Sequence, residues 1–201
     1  MRDWWLRALL VLQRPRPVFV ALRDDSRESL GDRAEPILAI TWLAGMAAIL
    51  VDAAGYLNDP SRDWLDLAVW VFLAGGIYAF FGYFVLGAIL HGSVKALGSQ
   101  GTYRRTRHVL AFAATPVALS LVLWPVKLAL YGEDWFRTGG RDTGGGGLAF
   151  DLLTYGFLLW AAALLVIGVR AVHGWTWPRA AAACAFALLA PVAVALLLAG
   201  V

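Results

Sequence analysis

Three ionisable residues lie in or beside long apolar stretches of the sequence, where charge is unexpected: Asp52, Lys127 and Asp151. A charge near the bilayer centre costs about 2.5–3.5 kcal/mol even on a lenient insertion scale, so such residues call for a partner or a pathway. They predict either an ion or proton relay, or an ion pair of Lys127 with Asp52 or Asp151. Because all three lie close to the ends of their stretches, snorkelling or pairing that fixes helix register is the favoured interpretation.

Metal and catalytic chemistry have little support in the sequence. Three histidines fall at the ends of apolar stretches, namely His91, His108 and His173. Because the adjoining loops offer neither carboxylates nor cysteines to complete a metal site, a role as polar anchors at the membrane interface is favoured for them. The glycine run at 144–147 lacks the Lys-Ser/Thr that a phosphate-binding P-loop requires. We therefore expect a protein without enzymatic activity, with no catalytic residues, no metal and no cofactor.

The composition sets the class of protein. Hydrophobic residues make up 60% of the 201 residues and charged residues 15%, and the mean hydropathy is +0.67. A soluble domain carries about 25% charged residues. The apolar residues fall in blocks long enough for helices that cross about 30 Å of hydrocarbon, and the alternation of a β-barrel is missing. The sequence predicts an all-α, polytopic membrane protein.

The apolar blocks divide the chain into five predicted spans. Residues 1–35 form an interfacial N-terminal segment, and 36–201 form a five-transmembrane-helix bundle, with spans at about 36–57, 63–90, 107–131, 148–169 and 179–201. Pro116 and Pro125 lie inside the third span. Each proline removes a backbone donor, so a kink or break is predicted there.

The distribution of basic residues predicts the orientation. Of the 17 lysines and arginines, thirteen fall on the side of the N-terminus. By the positive-inside rule the N-terminus is cytoplasmic, and five spans place the C-terminus outside the cytoplasm. Together with a composition rich in alanine, arginine and glycine, this indicates a multi-pass protein of a bacterial plasma membrane.

The first residues are better explained by a membrane-surface helix than by a signal peptide. The apolar stretch 4–12 is interrupted by Arg7, and Pro15 and Pro17 close it without a small-residue cleavage site. Tryptophan, leucine and arginine in this mixture are typical of a short interfacial helix.

A basic loop between the second and third spans supplies the candidate functional surface. It contains Lys95, Tyr103, Arg104, Arg105 and Arg107. Because the net charge of +3 is concentrated beside apolar spans, it indicates anionic lipid headgroups rather than nucleic acid. We expect the lipid bilayer, a membrane-protein partner or a second copy of the chain to contact this surface.

The same loop carries a family resemblance. Residues 98–116 read Gly-Ser-Gln-Gly-Thr-Tyr-Arg-Arg-Thr-Arg-His-Val-Leu-Ala-Phe-Ala-Ala-Thr-Pro. This resembles the Yip-domain family of multispan membrane proteins, named for interaction with Ypt/Rab GTPases, in which a glycine-containing loop with an aromatic precedes a span of the type Tyr-Ala-x-x-Pro. The matching positions are Gly98, Gly101, Tyr103, Thr106 and Pro116, with Phe112 in place of the tyrosine.

The resemblance extends to other parts of the chain. The segment 15–19 is similar to the proline/aromatic N-terminal segment of prokaryotic members. Membership implies five spans, a cytoplasmic N-terminus and an outward C-terminus. It favours a non-enzymatic protein that scaffolds partners or shapes membranes. The alternative is a small transporter or an accessory subunit of a transport complex, motivated by the two prolines of the third span and by Asp52 and Lys127.

Overall fold

A computed structural model describes residues 2–24, 26–51, 53, 55–140 and 144–198, with side chains within the range 3–189. This part of the chain is all-α, and no strand occurs within it. Its ten α-helices are α1 (Arg2–Leu10), α2 (Pro15–Ala21), α3 (Arg27–Val51), α4 (Trp64–Phe81), α5 (Gly87–Ala96), α6 (Tyr103–Ala113), α7 (Thr115–Leu119), α8 (Leu123–Tyr131), α9 (Gly145–His173) and α10 (Trp177–Leu198). A π-helical turn, Gly82–Leu86, joins α4 to α5.

Four helical segments are long and apolar enough to cross a membrane. They are Arg27–Val51, Trp64–Ala96, Tyr103–Phe136 and Gly145–His173. The prediction of a multi-pass helical membrane protein is confirmed. The apolar side chains described for α10 cover only Trp177–Leu189, although its backbone continues to Leu198. The fifth span therefore stays a prediction.

The first of these helices begins earlier than hydropathy indicates. The predicted span starts at residue 36, whereas α3 starts at Arg27 and contains Pro36. Ser26 explains the difference, because its hydroxyl accepts a hydrogen bond from the Ser29 N–H at 3.3 Å and so caps the helix. The first turns of α3, before residue 36, are polar; they are helical, but hydropathy alone does not include them in the apolar stretch.

The chain forms two compact units. The first contains Met1–Ile37, Phe81–Ala113 and Ala162–Val201, and the second contains Leu38–Phe80 and Ala114–Ala161. Each has its own buried apolar residues.

In the first unit the N-terminal helices pack against α6 and α9. The rings of Trp4 and Phe112 lie 5.7 Å apart, and Phe19 is completely buried. A Cβ added to Gly168 would lie 2.9 Å from Phe19 Cε1 and 2.7 Å from Val109 Cγ1. Glycine at this position therefore lets α9 approach both neighbours closely.

The second unit is organised by aromatic packing and by small residues. Trp124, Trp135, Phe136 and Phe150 are buried in one cluster. Elsewhere in this unit a Cβ on Gly75 would lie 2.8 Å from the Met46 backbone, so the absence of a side chain lets α3 and α4 approach closely.

The third predicted span is interrupted at its first proline. Helix α6 ends at Ala113, and α7 begins with Pro116 in its first turn. A 3-10 turn, Ser120–Val122, then precedes α8, which contains Pro125. The predicted break is confirmed. Proline is favoured in the first turn of a helix, because the backbone N–H that it lacks would have no intrahelical acceptor there.

Candidate functional site

The turn that leads from α5 to α6 is fixed by a glycine cap. Gly98 has φ of +85°, which favours glycine. The N–H of Ser99 donates to the carbonyl of Val94 at 2.9 Å, and the N–H of Gly98 donates to that of Lys95 at 2.9 Å. These are the two bonds of a Schellman motif, so the helix stops at a defined residue.

The second glycine of the turn is required by a buried hydrogen-bond network. The Ser99 hydroxyl accepts from the Gly101 N–H at 2.9 Å and lies 3.1 Å from Nδ1 of His173. A Cβ on Gly101 would lie 2.8 Å from Cε1 of the same histidine. The histidine that the sequence presents as a polar anchor thus holds the motif turn against α9.

Thr106 of the motif is buried and bonded to a second histidine. Its hydroxyl donates to the carbonyl of Thr102 at 3.3 Å and lies 3.3 Å from Nδ1 of His91. Gly98, Gly101 and Thr106 therefore have structural roles. Pro116 is likewise structural, because it lies buried at the start of α7.

Tyr103 and Arg107 are tied to the π-helical turn. The Tyr103 hydroxyl donates to the carbonyl of Phe84 at 2.6 Å. The guanidinium carbon of Arg107 lies 4.9 Å from the ring centre of Tyr83 and 4.5 Å from those of Phe84 and Tyr103. This cation is held by three aromatic faces, an arrangement that stabilises charge without hydrogen bonds.

The five residues of the predicted basic surface are not equivalent. Lys95 and Arg104 are exposed, whereas Arg105 and Arg107 are half-buried. Arg105 donates to the carbonyl of Arg23 at 2.9 Å. The structure brings Tyr103, Arg104 and Arg107 together around a pocket of about 440 Å³, which Thr102 completes.

Thr102, Tyr83 and Phe84 are functional candidates that sequence reasoning missed. Thr102 had a readable signal, because its hydroxyl accepts from the Arg105 N–H at 3.2 Å and a threonine just before a helix is a common cap. No local sequence signal distinguishes Tyr83 and Phe84, since both lie inside an uninterrupted apolar stretch.

Two other arginines close helix C-termini. Arg23 donates to the carbonyls of Val172 at 3.1 Å and Ala171 at 2.5 Å, at the end of α9. Arg179 donates through Nε to the carbonyl of Leu97 at 3.1 Å, just after α5. Cations at carbonyl ends satisfy orphan acceptors and complement the helix dipole. Part of the predicted basic bias is thus engaged with backbone carbonyls of the chain itself.

Lys127 lies in an aromatic cage in the second unit. It is 4% exposed, and its Nζ lies 3.9, 4.3 and 5.5 Å from the ring centres of Trp135, Trp124 and Phe150. Asp151 is exposed, and Asp52 lies outside the described residues. The ion pair predicted for Lys127 therefore stays a prediction.

Comparison with known proteins supports the resemblance seen in the turn. A family model described as Yip1 domain matches residues 9–199, which include every motif position discussed above. No curated protein matches the chain significantly. The same holds for solved structures.

Proposed function

Because the chain belongs to the Yip1 domain family of membrane proteins, we propose that it is a non-enzymatic integral membrane protein that shapes and organises the bilayer around it. The observation that carries this proposal is helix α1. One of its faces is packed into the first unit, and the other exposes large apolar side chains.

The two faces of α1 have opposite environments. Trp4 and Ala8 are buried against the protein. Leu6 and Leu9 are 65% and 64% exposed, and Trp5 and Leu10 lie beside them. A helix held on one side and apolar on the other is suited to the membrane interface. Burying Leu6 and Leu9 in lipid contributes about 2–4 kcal/mol, if full burial of a leucine contributes about 1.5–3 kcal/mol.

Because α1 is docked, its insertion occupies space in one leaflet at a fixed distance from the spans. The exposed Arg14 and Arg16 follow directly and favour a leaflet with anionic headgroups. A wedge of this kind expands one leaflet relative to the other, which is how a protein without an active site bends or organises a membrane. Partner proteins would then be scaffolded on that surface.

Vesicle remodelling tests the proposal. Protein reconstituted into large vesicles of mixed neutral and anionic lipid is expected to produce tubules or smaller vesicles in electron micrographs. The double variant Leu6→Ser/Leu9→Ser should lose this effect while inserting normally, since the buried face of α1 is unchanged. Gln13→Ser, an exposed polar position nearby, is the control and should behave as wild type. Equal remodelling by all three proteins, or none by wild type, contradicts the proposal.

For the location we propose a bacterial plasma membrane, with a cytoplasmic N-terminus and a C-terminus outside after a fifth span. The charge bias of thirteen among 17 basic residues supports the orientation, and the 22 residues of α10 are enough to cross a bilayer. Terminal fusions to alkaline phosphatase and to a fluorescent protein test it. Phosphatase activity is expected only at the C-terminus, and a fluorescent C-terminal fusion would contradict five spans.

The alternative function is a small transporter or an accessory subunit of a transport complex. Two observations favour it, the buried cation Lys127 and the interruption of the third span near Pro116, because broken helices line substrate sites in transporters. Solute or proton flux into proteoliposomes that Lys127→Met abolishes would support it. Remodelling without flux would favour the first proposal.

A further inference from the structure

We propose that the pocket lined by Thr102, Tyr103, Arg104 and Arg107 binds a phosphate group, supplied by the headgroup of an anionic phospholipid. We name it the phosphate pocket. It goes beyond the proposed function because it does not involve helix α1, and either proposal can fail without the other.

The size and lining of the phosphate pocket fit an anion of this class. Its volume of about 440 Å³ lies within the range of about 300–1,000 Å³ typical of small-molecule sites. Two of its four lining residues are arginines, and a third presents a hydroxyl. Arg104 and Arg107 are three residues apart, a spacing that places both side chains on one face of α6.

Among the described residues, no carboxylate neutralises the two arginines of the phosphate pocket. No aspartate or glutamate occurs between residues 67 and 132. In the part of the chain that the structure describes, neither Arg104 nor Arg107 is paired with a carboxylate, and the ion pairs Arg62–Asp59 and Arg137–Glu133 involve neither of them. Two neighbouring cations repel each other, and an anion between them removes that repulsion.

Arg107 is preorganised for an anionic ligand. Three rings surround its guanidinium at 4.5–4.9 Å, and Gly87 leaves room for its stem, since a Cβ there would lie 2.5 Å from Arg107 Cγ. These contacts hold the group in place through ring faces and leave its terminal N–H donors for a ligand. Arginine binds phosphate through two parallel hydrogen bonds, which suits such a fixed fork.

The two remaining lining residues complete the arrangement. The Tyr103 hydroxyl is engaged with the Phe84 carbonyl, so its ring forms a fixed wall. The Thr102 oxygen accepts from the Arg105 N–H, which leaves the hydroxyl proton free to be donated. A phosphate in the pocket would thus receive donors from Thr102, Arg104 and Arg107.

The position of the pocket indicates the source of the phosphate. Its residues lie in the first two turns of the candidate span Tyr103–Phe136 and at the residue before it. The end of a membrane span lies at the depth of lipid headgroups, where phosphate is abundant and fixed in orientation. A lipid phosphate therefore meets the pocket at high local concentration, whereas a soluble phosphate must compete from bulk water.

Lipid retention by the full chain tests the inference. Wild-type protein in nanodiscs or mild detergent is titrated with phosphatidylglycerol or phosphatidylcholine, and bound lipid is measured by native mass spectrometry. The comparison includes Arg104→Gln, Arg104→Gln/Arg107→Gln and, as a matched double charge removal at exposed positions outside both proposed lipid surfaces, Arg62→Gln/Arg137→Gln. Helix content and thermal unfolding are recorded for every variant.

We expect wild type and the Arg62/Arg137 control to retain phosphatidylglycerol in preference to phosphatidylcholine. Affinity for phosphatidylglycerol should fall by about tenfold to a hundredfold for each arginine lost from the pocket, the range for hydrogen bonds to charged groups. Arg104 is exposed, so its variant remains informative even if Arg107→Gln disturbs folding.

Three outcomes would overturn the inference. In the first, the pocket variants retain phosphatidylglycerol as wild type does. In the second, the control variant loses as much phosphatidylglycerol as the pocket variants. In the third, inorganic phosphate displaces the lipid at comparable concentration, which makes a soluble phosphate the ligand. Vesicle remodelling by Arg104→Gln separates the two proposals, because α1 is intact in that variant and remodelling should persist when lipid selectivity is lost.

Discussion

Adding one methyl group at Gly168 tests whether the N-terminal helices are docked as described. In Gly168→Ala the new Cβ would lie 2.7 Å from Val109 Cγ1 and 2.9 Å from Phe19 Cε1, and both neighbours are almost fully buried. Overpacking of this kind costs about 1–3 kcal/mol. Because contacts arise with two side chains at once, we take the upper value of about 3 kcal/mol and subtract about 1 kcal/mol for the better helix propensity of alanine. The expected net loss is about 2 kcal/mol.

The same helix offers a matched control. Gly156 also lies in α9, and a Cβ there would meet no atom within 4 Å. Gly156→Ala should therefore keep only the propensity gain of about 1 kcal/mol. The two alanine variants are expected to differ by about 3 kcal/mol in reversible unfolding by SDS, followed by circular dichroism. Limited trypsin digestion should cut after Arg7, within α1, faster in Gly168→Ala alone.

A second substitution distinguishes overpacking from other effects. Val109→Ala removes the atom that the new methyl group would contact first. Combined with Gly168→Ala, it should restore part of the lost stability, so that the two changes are less damaging together than their sum. Equal stability of Gly168→Ala and Gly156→Ala, or strict additivity with Val109→Ala, would refute the packing described for this site.

Three further predictions concern the turns and helix ends. Gly98→Ala should lower stability by about 1–2 kcal/mol, because its φ of +85° is unfavourable for residues with a Cβ, and thermal unfolding in detergent will measure it. Arg23→Met should destabilise the protein by about 1–3 kcal/mol by uncapping α9, whereas Arg27→Met, at an exposed position, should leave the midpoint unchanged. Hydrogen bonds from the hydroxyl and the N–H of Ser61 lower the pKa of Asp59 below its usual value; this stabilisation is present above the usual value and lost as the pH falls through the lowered one, and Ser61→Ala, which keeps the N–H, should reduce the shift in an NMR titration.

Local signals in the sequence were enough for the class and for several boundaries. The apolar blocks predicted a helical membrane protein, and Pro116 predicted the interruption that separates α6 from α7. Gly98 and Gly101 marked the turn correctly. These helix and turn boundaries are determined by residues that are close neighbours in the sequence, so they can be predicted without knowledge of the tertiary structure.

Contacts between distant segments could not be read in this way. The bond from Arg23 to Val172 joins residues 149 apart, and that between Ser99 and His173 joins residues 74 apart. Arg23 was counted only as part of a charge bias, and His173 only as an anchor. Their partners are backbone carbonyls and a serine, which have no distinctive pattern along the chain. For the same reason the cage around Arg107 emerged only from the folded structure.

The two arginine-capped helix ends differ in when they can form during synthesis. The end of α9 finds Arg23 already made, because that residue precedes Val172 by 149 residues. The carbonyl of Leu97 must wait for Arg179, 82 residues later. At the translation rate of about 5–20 residues per second, the interval is roughly 4–16 s. A ribosome that stalls before Arg179 therefore leaves the motif turn incomplete, and closure of the first unit depends on the emergence of α10.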